Sequence, residues 1–105
     1  MNFYELLFII NPNLSDEEAT GVVNKVNELI GRLGGVVFKT EKWGKRKLAY
    51  EVKKHKKGYY ILMNFNLEPS KASELERTFR LTDPIIRYLI VNLEPPQAVG
   101  GSING

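Results

Sequence analysis

The run Tyr59 to Leu67 alternates strictly. Tyr59, Ile61, Met63, Phe65 and Leu67 fall on one side of an extended chain, and Tyr60, Leu62, Asn64 and Asn66 fall on the other. Successive side chains of a strand point to opposite faces, so this spacing specifies a strand with one fully apolar face. That face has to be covered by another layer. A second run, Phe3 to Ile10 (F-Y-E-L-L-F-I-I), is apolar on both faces apart from Glu5 and ends at Asn11-Pro12-Asn13. Such a strand is either central and covered twice, or its second face meets a partner.

Helices supply the cover. Ser15 to Leu33 carries an N-cap at Ser15, a capping box closed by Glu18, and Asp16 and Glu17 at the amide end. Ala19, Val22, Val23, Val26, Leu29, Ile30 and Leu33 form one stripe at helical spacing, and Gly34-Gly35 stops it. Pro69 and Ser70 open a shorter helix to about Arg80, with Ala72, Leu75 and Phe79 as its buried edge. Val36-Val37-Phe38 begins another strand, whose pattern loosens from Thr40 to Trp43. Gly44 permits a bulge or turn, and Leu48 to Val52 resumes the alternation. Lys53 to Lys57 reads as an exposed loop. Thr82-Asp83-Pro84 is a loop before a last strand, Ile85 to Leu93.

The order is β-α-β-β-α-β, which predicts the α+β, ferredoxin-like plan: a four-stranded antiparallel sheet with two helices on one face. Residues 1–94 form the single domain expected of 105 residues, and 95–105 is a polar tail expected to be flexible. With both helices on one side, the other sheet face lies open. Leu6, Phe8 and Ile10 are assigned to the helix side, as are Ile86, Tyr88 and Ile90. The outward set is then Phe3, Glu5, Leu7 and Ile9 on the first strand, Tyr60, Leu62, Asn64 and Asn66 on the third, and Arg87, Leu89 and Val91 on the fourth. An apolar patch of that kind marks a partner-protein interface.

Charge is the other asymmetry. Between Lys39 and Lys57 lie nine Lys or Arg and two Glu, whereas the rest of the chain is net acidic under a total of +3. Clustered cations suit phosphate, which supplies affinity without sequence reading. The candidate phosphate-binding residues are Lys42, Lys45, Arg46, Lys47, Lys53, Lys54, Lys56 and Lys57, with Arg46 the best suited to a bidentate contact. Trp43, beside them, is counted among them for stacking on a base or ribose. It equally suits capping the core at the strand end.

Catalysis finds no support. The chain has no cysteine and one histidine, His55, inside the lysine run, so no converging metal-ligand set or hydrolase triad is visible. No cofactor is expected. Met1 to Ile10 holds Glu5 and reads as a strand and not a signal peptide, which makes a cytoplasmic location the expectation. Lys57 to Met63 loosely resembles the third-strand signature of RNA-stacking sheets. However, Tyr59 and Ile61 share parity with the core residues, which argues against base stacking there.

Taken together, Y-E at Tyr4-Glu5, N-P-N-L at Asn11 to Leu14, W-G-K-R-K-L-A-Y-E-V from Trp43 to Val52, K-K-G-Y-Y from Lys56 to Tyr60, and Arg87 resemble the bacterial family of the sixth small-subunit ribosomal protein. The resemblance spans Tyr4 to Val91. It implies a structural role in the ribosome without catalysis. It further implies binding to the central domain of small-subunit ribosomal RNA as a heterodimer with the eighteenth small-subunit protein, which packs against the sheet. Among the basic positions, it places Arg46 and Lys47 first as RNA contacts. Some relatives carry a long acidic tail, which this chain does not. The competing reading is a ferredoxin-like regulatory or self-pairing module that uses the same open face and no RNA.

Overall fold

The computed structural model of the protein describes residues 1–93, so the expected tail lies outside the described residues. The elements are β1 (Asn2–Ile10), α1 (Asp16–Arg32), β2 (Val36–Val52), β3 (His55–Leu67), α2 (Pro69–Leu81) and β4 (Ile85–Leu93). The strands form one antiparallel sheet in the order β2-β3-β1-β4. This is the ferredoxin-like arrangement.

Local signals set the element limits. Ser15 caps α1, its Oγ accepting from the Glu18 amide at 3.1 Å while Glu18 Oε1 accepts from the Ser15 amide at 2.9 Å. Ala19, Val22, Val23, Val26 and Ile30 are buried along one side of α1, and Leu75 and Phe79 along one side of α2. They close over the alternate residues of the sheet: Leu6, Phe8 and Ile10 from β1, and Tyr59, Ile61, Met63, Phe65 and Leu67 from β3. Aromatic contacts tie the layers together. Phe79 of α2 meets Phe8 at 5.8 Å and the edge of Tyr88 at 5.3 Å, while within the sheet Tyr4 stacks with Phe65 at 5.6 Å.

The sequence expectation for β2 and β3 needs three corrections. β2 runs unbroken through Trp43, because register shifts absorb the loss of pattern. One shift, between Lys42 and Gly44, uses the positive φ of Gly44 (81°), a conformation costly to residues with a Cβ. The lysine loop shrinks to a two-residue turn at Lys53 and Lys54, both with positive φ, as a tight hairpin turn requires. His55, Lys56 and Lys57 are therefore strand residues. The register then jumps from Lys47 opposite Lys57 to Val52 opposite His55, which leaves Leu48 to Glu51 facing Lys56 alone.

β4 needs a fourth. A bulge between Ile9 and Ile10 pairs Ile10 with Ile85 but Ile9 with Arg87. Ile85 therefore joins the core in place of Ile86. Ile86 is buried beside Ile9 and Gly58 instead: a Cβ added at Gly58 would stand 2.3 Å from Ile9 Cγ2 and 3.8 Å from Ile86 Cδ1. Tyr88 and Ile90 pack against the core as expected.

Candidate functional site

The face away from the helices is a grid set by strand register. Directly opposed residues of antiparallel strands share a face. Glu5 stands between Asn64 and Val91, Leu7 between Leu62 and Leu89, Ile9 between Tyr60 and Arg87, and Phe3 between Asn66 and Leu93. Thus Phe3, Glu5, Leu7, Ile9, Tyr60, Leu62, Arg87, Leu89 and Val91 do come together on one surface. They are not equally open. Leu89 is 60 % exposed, whereas Ile9 is 7 % exposed and cannot present itself to a partner as expected.

Ile9 Cγ2 fills the space left at Gly58, where Ile86 also packs, and the hairpin arm lies beside it. The Leu48–Glu51 excursion folds this arm against the sheet, and Leu48, Ala49, Tyr50 and Val52 line a depression of about 280 Å³ with Ile9, Tyr60 and Leu89. These arm residues therefore anchor on the open face and not in a regular ladder with β3. Tyr50 reaches β4: Arg87 donates to its hydroxyl and holds its guanidinium 5.1 Å from the ring centre. Arg87 is thus already engaged within the chain.

Aromatic pairs extend the surface onto β2. Phe38 stacks on Phe3 at 5.8 Å, and Trp43 stacks on Tyr60 at 6.3 Å with the planes 8° apart. Trp43 therefore lies on the open face, not at the end of the core. Its indole N–H donates to Glu41 Oε1 at 2.9 Å, and Glu41 also pairs with Lys39 at 2.9 Å. The indole hydrogen bond first, and Lys39 second, hold the Glu41 carboxyl below its ordinary value of 4.5. Asn64, on the same face, keeps a buried Oδ1 with no hydrogen-bond donor among the described residues.

The basic residues divide by face. Lys42 reaches the helix side, its Nζ 3.4 Å from Thr20 Oγ1. Lys45 holds its ammonium 5.3 Å over the ring of Tyr59, whose hydroxyl donates toward the Leu14 carbonyl and Asp16 Oδ1, each at 3.0 Å. Burial, then the bond to Asp16, raises the Tyr59 pKa above 10.0. Lys45, Lys54, His55, Lys56 and Lys57 share a shallow surface with Pro12 and Asn13. Arg46 faces the other way, opposite Gly58 and 5.4 Å over the Trp43 ring. Among the described residues, Lys39–Glu41 is the one ion pair, so no carboxylate neutralises the distal cations. Nor do those residues contain a metal-binding cluster or a helix long and apolar enough to cross a membrane.

Comparison with known proteins adds the decisive observation. Residues 3–92, which take in both helices and all of the sheet but the first residue of β1 and the last of β4, match the family described as Ribosomal protein S6. The chain belongs to the ribosomal protein S6 family. It is 44 % identical over 94 residues to the small ribosomal subunit protein bS6 of Caldanaerobacter subterraneus, covering 90 % of this chain and 99 % of that one. It is 48 % identical over 91 residues to bS6 of Heliobacterium modesticaldum, covering 87 % and 95 %. The crystal structure of 30S ribosomal protein S6 from Thermotoga maritima superposes with a TM-score of 0.88 at 33 % identity, over 99 % of this chain and 98 % of that one. An S6 family chain is a structural ribosomal protein and not an enzyme.

Sequence reasoning passed over Phe38 on the open face. It also placed Leu48 and Tyr50 in the sheet and not over it. Each of these sits at or beyond a register shift, where counting by twos fails.

Proposed function

We propose that this small-subunit ribosomal protein holds small-subunit ribosomal RNA with the cations of its β2–β3 hairpin while the open face of its sheet takes the eighteenth small-subunit protein. The observation that carries this reading is the separation of two unlike surfaces on one rigid sheet. One is an apolar and aromatic grid around Leu62, Leu89 and Val91. The other is a run of lysines with no carboxylate within ion-pair reach among the described residues. Phosphate contacts give affinity that falls with salt, while an apolar face with a few fixed polar groups gives a defined protein partner. Two moderate surfaces used together favour ordered assembly, because a bound partner converts RNA binding into a two-point contact. The cytoplasm, as the place where such a particle works, belongs to the same reading.

The test is binding of a central-domain fragment of small-subunit ribosomal RNA to the full chain, alone and with the eighteenth protein, across a salt series. Affinity should rise with the partner present. Log K should fall with log salt by about 0.7 to 0.9 per phosphate engaged. Equal affinity with and without the partner, or self-association that excludes it, would overturn the reading in favour of a self-pairing module.

A further inference from the structure

The hairpin cations are not one block. We infer that the RNA phosphates lie on the helix-side face of the hairpin, bridging the opposed Lys47 and Lys57 beside Lys45, whereas Arg46 serves the partner protein on the other face. The inference rests on the reading that this hairpin binds RNA.

The register supplies the first observation. Lys47 and Lys57 are direct cross-strand partners. Opposed side chains start about 5 Å apart at Cβ, and like charges so placed destabilise a strand pair. Among the described residues, neither lysine has a carboxylate within 4 Å. The register therefore roots two lysines at opposed positions and leaves them without a carboxylate partner among the described residues. A bridging phosphate turns that repulsion into two attractions.

The neighbours point the same way. Lys45 precedes Lys47 by two residues, so it shares that face. Its ammonium is already fixed over Tyr59, itself bound at the start of α1. His55 and the Pro12-Asn13 turn extend the same shallow surface, which offers a track for a backbone and not a pocket for a base.

Arg46 lies between these lysines in sequence yet faces away. Its partner is Gly58, and the space a side chain would take at Gly58 is filled by Ile9 of the open face. The Arg46 Nε donates to the Trp43 carbonyl at 3.3 Å, and its guanidinium rests on the indole, which in turn stacks on Tyr60. A guanidinium fixed on an aromatic ring keeps its other N–H edge free for a carboxylate or carbonyl. The indole beneath it stacks on Tyr60 of the apolar grid, so the acceptor for that edge comes from the protein that covers the grid.

The experiment compares Lys47→Gln/Lys57→Gln with Arg46→Gln in the full chain. Partner affinity is measured by calorimetry without RNA, and RNA affinity is measured on the pre-formed heterodimer across a salt series. The lysine pair should lower RNA affinity about tenfold and flatten the salt slope by about one, with partner affinity unchanged. It should also melt no lower than the wild type at low salt, since it removes a repulsion. Arg46→Gln should weaken partner binding about fivefold or more and leave the heterodimer's salt slope intact. If Arg46→Gln flattens the slope and spares the partner, the face assignment is overturned while the RNA reading stands. A wild-type heterodimer with no salt-dependent affinity for the RNA overturns both.

Discussion

The two faces of the sheet use the same strands in opposite ways. On the helix side, Leu6, Phe8, Ile10, Met63, Phe65 and Leu67 are all buried by the chain's own helices. On the other side the residues between them are equally ordered by register but only partly covered, by aromatic pairs and one folded-back arm. Exposure alone does not separate a spare surface from a working one. The difference lies in investment: Trp43, Tyr60, Phe3 and Phe38 are stacked in fixed orientations on a face that contributes little to enclosing the core.

That contrast fails if helix-side residues prove dispensable. Phe65→Ala removes a fully buried ring and should cost about 3–5 kcal/mol in urea unfolding. A loss under about 1 kcal/mol would mean that the two faces are not energetically distinct. Gly58→Ala probes the open face where it is most crowded. The new Cβ would meet Ile9 Cγ2 at 2.3 Å and the Ile10 carbonyl at 3.3 Å, and a β-branched neighbour yields little. About 1–3 kcal/mol of stability should be lost, readable as a lower melting temperature. An unchanged melt would show that β1 and β3 are loosely packed at this point.

Leu89→Asp tests the opposite prediction for the same face. Leu89 is 60 % exposed, so unfolding free energy should move by about 0.5 kcal/mol or less. Affinity for the eighteenth protein should nevertheless fall about tenfold or more, measured by calorimetry. The smallest effect sharpens the comparison at its rim. The folded pKa of Glu41 lies below 4.5, so its support for Trp43 is complete above that value and disappears as pH falls through the lower one. The single tryptophan makes this visible, and its fluorescence should change with a midpoint below 4.5. Glu41→Gln should abolish the transition.

Most of the fold could be read from residue types alone. The Ser15–Glu18 box, the α1 stripe and the Tyr59–Leu67 alternation are local signals, and each meets the core it predicts. The grouping of Leu7, Leu62 and Leu89 followed from parity, since no register shift lies between them. Ile86 and Leu48 defeated the same counting. Each sits at a bulge, where one extra residue changes which side a chain presents, and no local signal in β4 announces it. Ile9 kept the side that parity gave it, and its burial was beyond sequence because Gly58 and Ile86 are brought beside it only by the fold.

The turn at Lys53-Lys54 divides the chain into a β1-α1-β2 half and a β3-α2-β4 half. In the order β2-β3-β1-β4, no strand neighbours another from its own half, and all three ladders join one half to the other. A tryptic cut between Lys53 and Lys54 would therefore leave two fragments, neither holding a native strand pair on its own. Mixed together, they would have every ladder available again. Such fragments should be unstructured when separate and refold only as a complex, which makes this short turn the natural place to split the protein into a complementing pair.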